Sequence, residues 1–451
     1  MRIIGLLLSF LLCTSLCSAQ GLPIEAEINQ LKVRLEALEH KVTAQSKIME
    51  EQEQYIADQN KKISEYETKI SQFSPTETKN PVEQLAQGLD MGAGITTIIQ
   101  GANNTNNATT DISKNEDRTD ASYSADITIG KEFKEVNGEA FLHLEAGQGA
   151  GLEDDLTLYR NVNRDADNDN NVRVTEAWYK QKLFNEKLSL TFGKLDATIL
   201  FDTNEIANDE TTKFLSRMFR NSPAIEFPDN TIGLHTVVMP VSWLELSHGV
   251  FDGNNDWEKI DDNLFNIGQI TFKTNFFDKS GNYRFLGWYS NVYHTDWSVP
   301  EKDKESAYGF GLSFDQKVTD IITLFTRYGW QDPEVYNPNI LATGDLNYSL
   351  KQSWSTGLEI EGKPWGREKD SLGFAYGEIM PSPDYKKAGE SLDPVRLAKT
   401  EKHLEAYYRI HINDHLAISP DFQYIINPFG DDVSNDTENI FVGGVRVQVG
   451  F

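Results

Sequence analysis

Two hydrophobic rhythms divide the chain. From Ile24 to Phe73 apolar residues recur at alternating steps of three and four. Ile28, Leu35, Val42, Met49, Ile56, Ile63 and Ile70 hold one heptad position, and Ile24, Leu31, Leu38, Tyr66 and Phe73 the other, with Gln45, Gln52 and Gln59 in its middle. No Gly or Pro interrupts the run. The pattern predicts a helical coiled coil, about 75 Å long at ~1.5 Å per residue; a solitary amphipathic helix is the alternative. Ser74-Pro75 ends it, and a polar linker follows to Asp90.

From Met91 the period becomes two. Sixteen strands are predicted, at 91–101, 120–131, 138–147, 172–182, 188–196, 231–238, 243–251, 264–276, 283–293, 307–314, 321–330, 350–361, 371–379, 401–412, 416–426 and 439–451. Short connections alternate with long ones, the longest being 197–230. Short turns at one end and long loops at the other describe an outer-membrane barrel. In 416–426, Leu416, Ile418, Phe422 and Tyr424 alternate with Ser419, Asp421 and Gln423; in 401–412, Leu404, Ala406 and Ile410 alternate with Glu405, Tyr407 and Arg409. Leu350, Trp354 and Leu358 alternate with Lys351, Ser355 and Glu359, and Leu324 and Tyr328 with Thr323 and Arg327. Such charges are intolerable inside a small packed sandwich and cost little facing a water-filled lumen. Strands 264–276 and 283–293 alternate poorly, and their faces stay open.

The fold class is therefore all-β: a sixteen-stranded antiparallel transmembrane β-barrel, preceded by an N-terminal α-helical coiled coil. An even strand count puts both barrel ends, and with them the coiled coil, in the periplasm. The last strand alternates apolar or Gly residues from Phe441 to Phe451, with Val442 the exception. A strand ending on an aromatic reads as the closing strand of a bacterial outer-membrane barrel, with Phe451 its assembly signal.

Composition adds the compartment. With 39% apolar residues and a mean hydropathy of −0.48, the one long apolar run is Ile3 to Cys17. It follows Met1-Arg2 and leads to Ser18-Ala19, as in a secretory signal peptide over 1–19. The plan is then signal peptide 1–19, periplasmic coiled coil 20–74, linker 75–90 and barrel 91–451. Both cysteines fall in the removed segment. A net charge of −27 argues against nucleic acid as a partner. It leaves plain solubility or divalent-cation binding by acidic loops. No Gly-x-Ser-x-Gly occurs, and the His pair four residues apart, His411 and His415, lies across a strand turn and not on a helix, so no enzyme is expected.

One acidic stretch has calcium-loop spacing. Asp165, Asp167, Asp169 and Glu176 occupy positions 1, 3, 5 and 12 of a twelve-residue loop, with Asn171 offering its carbonyl at position 7. Asn170 stands where Gly is expected, and no helices flank the segment. A structural Ca²⁺ and an acidic surface loop are both consistent with it; no other cofactor is required.

Two stretches carry a family resemblance. One is VTEAWYKQ (174–181) with LTFGKLD (190–196), FDTNEIANDETTKFL (201–215) and NSPAI (221–225). The other is EAYYRI (405–410) with ISPDFQYIINP (418–428). Together they resemble the carbohydrate-selective outer-membrane porins of the OprB type, over most of residues 91–451. The resemblance implies passive diffusion of mono- or oligosaccharides into the periplasm, and a third loop folded into the lumen to set its bore. That loop contains Asn204, Glu205, Asp209, Glu210, Lys213, Arg217, Arg220 and Glu226. Lys194, Asp196, Arg327, Glu359, Glu405, Arg409, Asp421 and Gln423 supply a facing wall, and Tyr179, Trp178 or Tyr407 an apolar platform for a sugar ring. An ordinary polar lumen without a dedicated site is the plainer reading.

Three functions fit this outline. The first is a sugar porin in a Gram-negative outer membrane, embedded in lipid and lipopolysaccharide and assembled as a homotrimer. The second is a general, weakly cation-selective porin whose coiled coil tethers the membrane to peptidoglycan or other cell-wall components. The third is a trimeric adhesin, which sixteen strands in one chain argue against.

Overall fold

The computed structural model describes residues 88–106, 117–166, 168–299, 305–338, 347–392, 395–432 and 438–451, with positions 32, 35, 47, 52, 54–62 and 64. The signal peptide, most of the coiled coil and most of the linker lie outside the described residues. Those described between 32 and 64 are helical, and Lys62 pairs with Asp58 one turn earlier at 3.1 Å. They belong to a unit, 1–84, separate from the barrel unit, 85–451.

The barrel strands are β1 Leu89–Ala102, β2 Arg118–Phe133, β3 Gly138–Gln148, β4 Arg173–Leu183, β5 Leu188–Leu195, β6 Thr231–Val241, β7 Leu244–Asp252, β8 Leu264–Phe276, β9 Lys279–Asp296, β10 Glu305–Lys317, β11 Ile322–Gln331, β12 Val335–Tyr336, β13 Leu350–Glu361, β14 Ser371–Pro381, β15 Glu401–Asn413, β16 Leu416–Ile426 and β17 Ile440–Gly450. Each pairs antiparallel with its neighbours, and β1 pairs with β17 from Gly94–Gly450 to Ala102–Val442, closing the sheet. Closure leaves no strand edge unpaired in lipid. The two-residue β12 is an extra: it pairs with the end of β9, while β11 pairs directly with β13. The wall is thus sixteen-stranded, as the alternation predicts.

One boundary moves. The β8–β9 connection is two residues long, Phe277 (φ 52°) and Asp278 (φ 58°), so β9 begins at Lys279 rather than near 283. Two left-handed residues make a tight hairpin turn, and without Gly that turn has no signal in the sequence. One face also inverts. A bulge between Leu350 and Gln352 turns Leu350 inward and leaves Lys351 exposed, reversing the expectation for that pair.

The lumen is filled on most of its circumference. Residues 196–230, between β5 and β6, fold into the barrel as a third loop carrying two short helices, α1 Ala197–Leu200 and α2 Arg217–Arg220. Its Phe214, Met218 and Phe219 pack with Phe325 of β11, Ile379 of β14 and Tyr407 of β15. Its Phe201 and Ile225 pack with Phe251, Phe265, Ile267, Leu286 and Trp288 of β7 to β9. The second loop, residues 149–172, sets Leu152, Leu156, Leu158 and Val162 against Ala102, Ile425, Ile440 and Val442. Apolar inward positions on β8, β9 and β17 therefore meet loops, not water.

Candidate functional site

Polar side chains of the wall hold the third loop in place. Arg327 of β11 is 1% exposed. Its Nε contacts the Asp202 carboxylate at 3.1 Å, and its remaining donors go to the carbonyls of Phe219, Asp202 and Ala207. Glu405 of β15 accepts from the backbone N–H groups of Leu215 and Ser216 at 2.6 and 3.0 Å. Glu359 of β13 accepts from Lys213 Nζ at 2.7 Å and from the Tyr407 hydroxyl. Arg446 of β17 donates to the carbonyls of Glu210 and Lys213. Asn204 reaches back to Ser313 and to the carbonyl of Phe314. Charge-assisted bonds of this kind are the strong ones.

The second loop is tied to the third. Arg164 N–H donates to the Leu215 carbonyl and Arg217 N–H to the Asn161 carbonyl. Partly buried Glu153 accepts from Asn161, from the Asn163 N–H and from Arg217 Nε at 3.1 Å. Burial raises its pKa, an effect that the adjacent Arg217 only partly offsets.

What stays open is a passage on the β2–β5 side. An outer cavity of about 280 Å³ is lined by Arg160, Glu226, Gln331 and Tyr348. A deeper one of about 780 Å³ is lined by Asp126, His143, Glu145, Glu176 and Lys194. The two share Arg164, Asp196, Arg217, Arg220, Asp229 and Asn230, so these six residues ring the junction. Arg220 is paired with Glu210, Arg217 with Glu153, and Asp196 caps α1 by accepting from Thr198. Arg164 and Asp229 form no ion pair among the described residues. Burial opposes the charge of Arg164, but Glu210, Asp196, Glu145 and Asp229 around it outweigh that and raise its pKa.

The predicted residues fall into groups. Asp196, Arg217 and Arg220 ring the junction; Glu226, held by His294 at 2.8 Å, lines the outer cavity; Lys194, donating to the Val174 carbonyl, lines the deeper one. Arg327, Glu359, Glu405, Asp421 and Gln423 face inward as expected but are covered by the loops, not by water, and Asn204 of the third loop is buried against the wall. Gln423 donates to the Val162 carbonyl, and Tyr407 lies under Phe214. Arg409 reaches Gln448, and Glu205 is exposed. The placement of Tyr179 is corrected: it lies on the outer face of β4, opposite Glu176 and Trp178, and donates to Gln181. Arg160 and Arg164 are not among the predicted residues; two arginines four apart in an otherwise acidic loop are the signal that marks them.

In the calcium-spaced stretch, Asp165 accepts from Ser124, Asp169 from Asn171, and Glu176 from Trp178. Asp167 lies outside the described residues, among which no three His, Cys, Asp or Glu converge on a metal position. A calcium ion there requires these carboxylates to exchange their partners for the ion.

A closed barrel of sixteen strands, narrowed by an inward third loop, is an outer-membrane porin of the Gram-negative kind. The chain belongs to the carbohydrate-selective porins of the OprB family, whose profile matches residues 113–451. It is 30% identical to Porin B of Pseudomonas aeruginosa over 107 residues, 21% of this chain and 23% of that one. It is 25% identical to an uncharacterized protein of Aquifex aeolicus over 256 residues, 57% of this chain and 62% of the relative. The chain thus spans less than two thirds of the length of these relatives. Its fold is similar to that of Pseudomonas putida OprB in a high-pH structure, with TM-score 0.67 at 19% identity, covering 82% of this chain and 96% of that one. These are channel proteins, not enzymes.

Proposed function

We propose that the protein lets small sugars diffuse through the ring at Arg164, and that this ring is where they are selected. The observation that carries this reading is the junction itself. A guanidinium without an ion pair among the described residues shares the junction with Asp196 and Asp229, whose charges act on it. A planar fork of donors opposite carboxylate acceptors matches vicinal hydroxyls of a neutral sugar. Family membership supports the same substrate class. Single-channel conductance in a planar bilayer, titrated with mono- and oligosaccharides, tests it. Concentration-dependent block by a sugar supports selection; ohmic current unaffected by every sugar reduces the protein to a general porin. Homotrimeric assembly and attachment to the cell wall are further proposals, carried by the heptad pattern alone.

A further inference from the structure

The fourth long loop, residues 253–263, carries charge that nothing nearby balances. Asp252, Asp256, Glu258, Asp261 and Asp262 stand against one cation, Lys259. Among the described residues none of these carboxylates forms an ion pair. Asp252 ends β7 and is 2% exposed. Its Oδ2 accepts from the Trp257 N–H at 3.0 Å, which turns the carboxylate into the loop, while Oδ1 is buried with no hydrogen-bond partner. An unpaired buried acceptor of this kind is costly. Asp256 Oδ1 accepts from the next amide, that of Glu258, at 2.8 Å. Two consecutive N–H groups thus hold two carboxylates beside each other. Asn254 donates its Nδ2 to Asp256 Oδ2 at 2.7 Å, which leaves its own Oδ1 to offer.

We propose that this loop binds one divalent cation of calcium's size, with the orphaned Oδ1 of Asp252 at its base and Asn254 and Asp256 on the open side. Oxygen donors at every second residue suit a hard cation that takes six to eight of them, the rest coming from backbone carbonyls and water. With two carboxylates rather than three, the affinity belongs with extracellular modules, a Kd on the order of 10⁻⁴–10⁻³ M. The calcium-spaced stretch 165–176 differs on this point: its Asp169 pairs with Arg173 at 3.6 Å, whereas among the described residues no cation engages Asp252 or Asp256. Asn255 of the fourth loop lines the deeper cavity, so the ion steadies one rim of the passage.

Trp257 lies inside the loop, its Nε1 on Asn255, and is a natural antenna for Tb³⁺. The folded full chain in detergent, excited at tryptophan wavelengths, should give saturable Tb³⁺ emission displaced by millimolar Ca²⁺. Trp257→Phe should remove most of that emission and leave calorimetric calcium binding unchanged. Asp252→Asn with Asp256→Asn should lose both. Heat-modifiable migration shows that each variant is folded, and Trp257→Phe keeps the test sound if the double variant is not. No displaceable emission from the parent, calcium binding that survives in the double variant, or loss of the signal with Asp165→Ala instead, overturns the proposal.

Discussion

Arg327 and Asp202 form an ion pair wholly inside the barrel, at 3.1 Å, with side-chain exposures of 1% and 0%. One partner is in the wall and the other at the start of the third loop, so the pair fixes the width of the passage. Burial raises the pKa of Asp202 and Arg327 restrains that rise, so the carboxylate depends on its partner to stay charged. Removing one member of such a pair costs about 3–5 kcal/mol, because the other is left buried and uncompensated. Arg327→Met should therefore release the loop while the sheet, whose backbone bonds are untouched, stays closed. We expect normal heat-modifiable migration but a larger and noisier single-channel current. Arg327→Met combined with Asp202→Asn should be milder than the single change. An unaltered current in the single variant would show that the remaining anchors suffice.

Among the described residues, Arg164 is the guanidinium at the junction that is not committed to an ion pair. A hydrogen bond to a charged group contributes about 1.5–3 kcal/mol. Arg164→Ala should raise the sugar concentration needed for half block by roughly tenfold or more, with conductance in salt alone changed far less. Arg164→Lys should restore charge without the planar fork and recover only part of the affinity. Equal block in the parent and both variants would remove Arg164 from the selecting ring.

The strand count and the inward or outward sense of most strands were legible in the sequence because lipid imposes strict alternation on the outer face. Strands β8 and β9 were not, and the reason is physical. Phe265, Ile267, Leu286 and Trp288 point inward against Phe201 and Ile225 of the third loop, so both faces of these strands are apolar. Val442, the exception on the last strand, points inward against the second loop in the same way. The charged inward residues were legible as inward, but not as covered. Whether Glu405 meets water or the amides of Leu215 and Ser216 depends on where a distant loop lands, and alternation carries no information about that. A clue lay inside the loop: Phe201, Ile206, Phe214, Leu215, Met218, Phe219 and Ile225 are far too apolar for a segment exposed to solvent.

Asp165 makes the passage sensitive to pH. It lines the deeper cavity, and burial, reinforced by Glu210, raises its pKa well above the ordinary carboxylate range. A raised pKa means that acidification protonates Asp165 before the exposed carboxylates. The lumen then loses one negative charge, and the preference for cations expected of an acidic barrel falls in a step above the usual carboxylate pH. The ionised form is the one the fold disfavours, so the same step stabilises the folded protein. Reversal potentials measured across a salt gradient from neutral to acid pH check this. Asp165→Asn should show the low-pH selectivity at all pH values in that window; the same step persisting in the variant would assign it to another group.

Phe451 separates assembly from stability. Its backbone closes the seam, with its N–H donating to the Ala93 carbonyl at 2.8 Å and its own carbonyl accepting from the Ala93 N–H at 3.3 Å. The residue is 76% exposed, and its ring stacks near His415 at 5.8 Å between centroids. Deleting the residue removes two hydrogen bonds worth about 0.5–1.5 kcal/mol each, at an edge where water replaces them. Nine register pairs between β1 and β17, from Gly94 to Ala102, hold the seam without it. The purified, refolded deletion should therefore melt within a few degrees of the parent. In cells the amount of barrel in the outer membrane should drop sharply, because an exposed aromatic that contributes little to folding is free to serve as the signal read during insertion. Replacing Phe451 with Trp should restore insertion, and replacing it with Ser should not. If the deletion inserts normally, the terminal ring is no signal; if refolded stability falls in step with insertion, the ring acts through the seam instead.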